Sequence, residues 1–193
     1  MISGAEPGRR AVLLGLLALT AQTAQPWGLD ALMASLAQTR QATASFTERE
    51  TSPLLSAPLI ATGTLTYVAP DYVRKQTSTP TPSIFTLQNG QITLTQSGAT
   101  RTFAMDEDPR IAGLIEAIRG TLAGDLPALQ RFYNLTLTGT AQNWQLALLP
   151  RDAALARFLR AVTISGTGGK VTIIDTLSTD GAESRMSIAP DAP

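Results

Sequence analysis

Residues 44–74 read ASFTERETSPLLSAPLIATGTLTYVAPDYVR. Phe46 leads a strand, Pro53 and Pro58 punctuate a Leu-rich connector, and residues 63–68 alternate with period two before Pro70-Asp71 turns the chain into 72–76. Successive side chains of a strand point to opposite faces, so Leu65 and Tyr67 share one side while Thr64, Thr66 and Val68 share the other. One apolar and one wet face is the pattern of an antiparallel sheet with a single covered side. Between the two prolines, 52–57 reads as an edge loop, because proline withholds a ladder donor.

Downstream, the stretch TSTPTP (77–82) predicts a loop. Strands at 83–88 and 91–96 flank Asn89-Gly90, a hairpin pair that tolerates positive φ at both positions, and Ser97-Gly98 leads into a strand at 100–105. The period then changes. Asp108-Pro109 reads as an N-cap followed by a first-turn proline, and Ile111, Leu114, Ile115, Ile118 and Leu122 form a helical stripe that Gly124 ends. A short helical turn over 126–132 follows. Strands resume at 134–138, 144–149, 159–165, 170–177 and 183–188, with hairpins at Gly168-Gly169 and Asp180-Gly181. Upstream, residues 30–42 read as an amphipathic helix, with Leu29, Leu32, Met33 and Leu36 on one stripe. The expected class is mainly β (α+β): about ten short antiparallel strands curled into an incomplete barrel or half-barrel, with two amphipathic helices over an opening or face. Residues 25–190 form one domain in this reading, and 191–193 a loose tail.

Arg9-Arg10, the apolar run 11–19 and the small, polar TAQTAQP are the three parts of a secretory signal peptide, placed at 1–24. The run is too short for a membrane span. The arginine pair fits both the ordinary export route and twin-arginine export. Cleavage would leave 13 basic and 14 acidic residues.

Two absences exclude whole classes of chemistry. The 193 residues contain no Cys and no His, which removes Ser-His-Asp and Cys-His catalysis, thiolate metal sites and HExxH zinc sites. A formal net charge of zero with 16% charged residues argues against nucleic acid, whose binding needs clustered cations. No enzyme activity, metal or cofactor is therefore expected. The acidic Asp106-Glu107-Asp108 lacks the spaced oxygens of a calcium loop and suits a helix N-terminus. Gly166-Thr167-Gly168-Gly169-Lys170 sits between strands with Val171 following, which makes it a hairpin and not a phosphate loop. Arg151, Arg157 and Arg160 fit solvated cations with stems on apolar surface, or an anion or lipid-headgroup cluster. An antiparallel sheet with only 5% aromatic residues has an inner face of Leu, Ile and Val, which either packs as core or encloses a cavity.

Several phrases in order resemble the outer-membrane lipoprotein carrier family, LolA: ASFTE (44–48), GTLTYVAPD (63–71), LQNGQITL (87–94), LALLPRDAALARFLRAVTI (146–164) and GGKVTIID with STDGAESRMSI at the end. The resemblance covers nearly all of the chain after the signal peptide. It implies an incomplete barrel with a helical lid over a hydrophobic cavity. It also implies a periplasmic monomer that ferries the acyl chains of lipoproteins, or another lipid, from an inner-membrane exporter to an outer-membrane acceptor. The family typically carries Arg before the proline after its first long strand, where it helps hold the lid closed; this chain has Ala69.

On that reading the cavity wall comprises Leu36 from the first helix and Leu114, Ile115 and Ile118 from the second. From the strands come Leu65, Tyr67, Val73, Phe85, Leu87, Leu94, Phe103, Leu146 and Leu148, an assignment that a one-residue register slip would reverse. The competing reading is a periplasmic sensor or interaction module on a similar half-barrel that binds lipoprotein and signals through a partner. A carboxylate-based hydrolase is a more distant alternative.

Overall fold

A computed structural model describes residues 27–190; the expected signal peptide, at 1–24, and the expected loose tail, at 191–193, lie outside the described residues. The chain begins with α1 (Leu29–Leu36) and continues through β1 (Gln41–Thr51), β2 (Leu59–Val68), β3 (Tyr72–Thr79), β4 (Ser83–Gln88), β5 (Gln91–Gln96) and β6 (Ala99–Ala104). Two helices follow, α2 (Pro109–Ala123) and α3 (Leu126–Phe132). The second run of strands is β7 (Tyr133–Thr140), β8 (Asn143–Pro150), β9 (Leu159–Thr167), β10 (Lys170–Ser178) and β11 (Glu183–Pro190).

The described strands form one antiparallel sheet in the order β6-β5-β4-β3-β2-β1-β11-β10-β9-β8-β7. It curls without closing. Its two free edges, β6 and β7, are consecutive strands in the chain, and the segment joining them is α2 with α3. That connection carries the helices across the open side of the half-barrel. The first and last strands meet at the centre, with Phe46 opposite Ile188 and Glu48 opposite Met186.

Local signals explain the boundaries. Asn89 and Gly90 take φ of 49° and 71° in the β4–β5 turn. Asp108 caps α2 by accepting from the Arg110 N–H at 2.9 Å, and Gly124 ends that helix with φ 65°. The Arg110 guanidinium beside it holds the Asp108 carboxyl down at about 2, so the acidic run serves the helix start. Glu107 accepts from the Ala104 N–H at 3.1 Å. Gly168 sits at positive φ in the β9–β10 hairpin, as a turn reading requires.

Three expectations need correction. The first helix stops at Leu36 instead of reaching residue 42, because 41–43 are taken by pairing with Val68, Tyr67 and Thr66. The first strand accordingly starts at Gln41, not Phe46. Thr77–Thr79, expected in a loop, extend β3: Thr77 pairs with Gly63 and Ser83, and Thr79 with Thr62, so only Pro80–Pro82 lie outside the strands. The described strands number eleven, in line with the expected count of about ten, and the helical turn expected over 126–132 is a short helix capped by Asp125.

The apolar core lies on the β7–β10 half. Leu32, Met33 and Leu36 of α1 pack with Leu129, Tyr133, Trp144, Leu146, Leu148, Val162 and Ile164. Trp144 lies on β9 because Gly166 has no side chain, since a Cβ there would fall 2.4 Å from the indole. Its Nε1 donates to the Gly168 carbonyl at 2.8 Å. The larger hollow lies between this core and β1–β3, with Leu65, Tyr67 and Val73 on one side and Ile164, Ile174 and Ile188 on the other.

Candidate functional site

Ladder register places two rows of side chains on one face of the sheet. Phe103, Ile92, Leu87, Val73, Tyr67 and Ala42 follow each other across β6 to β1, and from Glu48, on the same side of β1, a second row runs through Met186, Ile174, Ile164, Leu146 and Leu137 across β11 to β7. Alternation along each strand puts Leu65, Phe85, Leu94 and Leu148 on the same face. All nine strand residues of the expected wall therefore share one face, and the register is the expected one.

Sharing a face does not give a shared role. The larger chamber, about 520 Å³, is walled by Leu36, Leu65, Tyr67, Val73 and Ile118, together with Ala42, Ala44, Leu122, Ile174 and Ile188. A second chamber of about 460 Å³ is walled by Phe85, Leu114 and Ile115, with Ile111, Leu155 and Phe158. The other five do not line either chamber. Leu87, Leu146 and Leu148 are fully buried in packing. Leu94 is exposed and Phe103 half-buried toward the β6 edge.

Helix α2 roofs both chambers, its first half over the smaller and its second half over the larger. Sequence reasoning missed Ile174 and Ile188, although their alternation in the last hairpin marks the same face. It also missed Leu155 and Phe158, which lie in a turn with no periodicity to read.

Polar groups hold the roof. Arg119 of α2 donates to Glu116 at 3.0 Å through Nε and to Asp125 at 2.9 Å. Asp125 also caps α3 through the Ala128 N–H, so one carboxylate ties the two helices. Hydrogen bonding to Glu116 raises the Arg119 pKa still further. Its Nη1 lies 3.5 Å from the Pro70 carbonyl, a long contact that joins the roof to the turn where Ala69 stands. Tyr133 donates to the Gly113 carbonyl at 2.8 Å from the other side. Tyr67 is buried against the larger chamber, and its hydroxyl finds no partner among the described residues. Burial raises its pKa.

On the same face of the sheet, Lys75 forms an ion pair with Glu48, whose other oxygen accepts from Ser184 at 2.7 Å. Arg151 donates to the Gln130 carbonyl at 2.9 Å.

A family model described as outer membrane lipoprotein carrier protein LolA-like matches residues 21–192. The chain belongs to this LolA-like family. Its proteins are periplasmic, and among the described residues no helix is long and apolar enough to cross a membrane.

Solved structures similar to the LolA-like chain include a LolA superfamily protein from Nitrosomonas europaea, at 9% identity over 84% of this chain and 93% of that one, with a TM-score of 0.42. MucB in the MucA/MucB complex of Pseudomonas aeruginosa is 15% identical over 83% of this chain and 55% of that one, with a TM-score of 0.38. LprF from Mycobacterium bovis is 10% identical over 86% and 93%, with a TM-score of 0.37. These scores are too low to support an inference about function. No curated protein matches the chain.

Proposed function

We propose that this LolA-like chain is a non-enzymatic periplasmic carrier. It would bind acyl chains of lipoproteins or of another lipid in the hollow and take them from an inner-membrane donor toward an outer-membrane acceptor. The observation that carries the reading is the larger chamber: about 520 Å³, half of its lining residues Leu, Ile, Val or Ala and the rest chiefly Thr and Gln with Arg40 and Lys170, under a helix that spans the open side of the sheet. Its size falls within the usual range for small-molecule sites. An acyl chain of about fifteen methylenes gains roughly 12 kcal/mol on leaving water, so unassisted transit through an aqueous compartment is slow. An apolar hollow offsets most of that cost without a catalytic residue, in keeping with a sequence lacking His and Cys.

The test is saturable uptake of a fluorescent fatty-acid probe, with lipid analysis of the protein purified from its host. Bound lipid and a saturable isotherm are expected. Ile118→Asp puts a carboxylate on the wall of the larger chamber and is expected to weaken uptake at least tenfold while the far-UV spectrum stays native. A protein always free of lipid and blind to the probe would overturn the reading.

One feature favours the interaction module as a second reading. At the β1–β2 connection Leu54 is 91% exposed, with Leu55, Leu59 and Ile60 exposed beside it, an apolar tip suited to a protein contact. Capture of a single membrane protein, abolished by Leu54→Asp and without lipid transfer between vesicles, would establish it instead.

A further inference from the structure

An ion pair stands on the concave face of the sheet, beside the walls of both chambers and part of neither. Lys75 and Glu48 both lie on the concave-face rows, and their side chains are 29% and 20% exposed. The Lys75 ammonium also sits 5.1 Å from the centre of the Phe46 ring. Its position in the register is decisive. On β4 Lys75 pairs with Phe85, which lines the smaller chamber, and on β2 it pairs with Leu65, which lines the larger. On the roof opposite, Ile115 and Ile118, one turn apart, divide between the same two chambers. In register the pair therefore falls between two spaces of similar volume, each with an apolar wall and with cations, Arg40 and Lys170 or Arg110, elsewhere in its lining.

We propose that the two chambers take two acyl chains of one lipid, and that Lys75, Glu48 and Ser184 hold its uncharged junction of ester and hydroxyl groups. The ligand class is then a neutral two-chain glycerolipid. This proposal rests on the carrier reading above. A single chain would gain nothing from a charged pair partway along its path, and a partly desolvated ion pair is commonly no more stabilising than apolar residues of the same volume.

The pair offers what such a junction needs. The ammonium has three N–H donors, of which Glu48 takes one, leaving donors for an ester carbonyl. Glu48 and the Ser184 hydroxyl supply acceptors for a free hydroxyl. Because Glu48 already neutralises Lys75, the pair offers no net positive charge to hold a phosphate, whereas its donors and acceptors suit an uncharged junction.

The experiment displaces the fluorescent fatty-acid probe from the purified, delipidated full chain with oleate, monoolein, dioleoylglycerol or dioleoyl phosphatidic acid. Dioleoylglycerol is expected to bind one per chain by native mass spectrometry and at least tenfold tighter than each of the other three. In the Lys75→Met/Glu48→Leu double variant, which removes both charges and strands neither, the preference over oleate should fall below threefold. Ile115→Trp, which narrows the smaller chamber and leaves the charges in place, should also abolish the preference. Equal affinity for oleate and dioleoylglycerol, tighter binding of phosphatidic acid, or a preference that survives both variants would overturn the proposal and leave the carrier reading standing. Failure of all four lipids to displace the probe, or of the probe to bind, would overturn the carrier reading itself.

Discussion

Tyr133 and Tyr67 are both buried, but only one phenol is satisfied. Tyr133 donates to the Gly113 carbonyl, whereas Tyr67 has no partner among the described residues. Tyr133→Phe should cost about 1 kcal/mol, the usual net worth of one hydrogen bond, while Tyr67→Phe should be neutral or mildly stabilising; urea unfolding compares the two. The pH dependence follows from the raised Tyr133 pKa, caused first by burial and then by the nearby Glu116 carboxylate. Its contribution is complete below the unfolded value of about 10. Above that pH the unfolded state releases the proton that the folded state keeps, so stability falls as pH rises. Tyr133→Phe should flatten that alkaline limb.

At the scale of elements, the end of α2 depends on Gly124. Its left-handed φ of 65° is strained for other residues, and a Cβ there would lie 2.2 Å from the Met33 carbonyl of α1. Gly124→Ala should therefore cost about 2 kcal/mol or more, read from the urea midpoint at constant slope. The α2–α3 corner is tied by Arg119, whose side chain is 15% exposed beside a Glu116 that is 5% exposed. Arg119→Met strands that carboxylate and should destabilise by roughly 3 kcal/mol; Arg119→Met with Glu116→Gln should recover part of the loss. The bounds of α2 were legible in the sequence because its cap, proline and terminal glycine are local signals. The end of α1 was not, since pairing of 41–43 with β2 overrides the helical pattern.

For the whole molecule, uneven covering of the sheet sets both stability and function. The β5–β6 hairpin lies at an edge, far along the sheet from the core on β7–β10, and should lose amide protection first in hydrogen exchange, ahead of the central β1 and β11. A lipid that fills the hollow binds the folded state alone, so the melting temperature should rise with its concentration. The expected gain is about 2.7 kcal/mol at a hundred times the dissociation constant. No change in melting temperature at saturating lipid would place the bound molecules outside the hollow.

Alternation and turn chemistry determined by themselves which strand residues face inward. Leu65, Tyr67, Val73, Phe85, Leu87, Leu94, Phe103, Leu146 and Leu148 all lie on one face, because a period of two is a property of the extended backbone. What alternation carries is direction and not depth. Whether an inward side chain packs in the core, as Leu146 does, or borders a void, as Leu65 does, depends on which half of the sheet the helices fill. Only the tertiary structure decided that, through the link from β6 to β7 that draws α2 across the open side. It also set Ala44, Leu65, Tyr67 and Val73 against the larger chamber and brought Glu48 to Lys75 across β2, a meeting of residues 27 positions apart that no local pattern encodes.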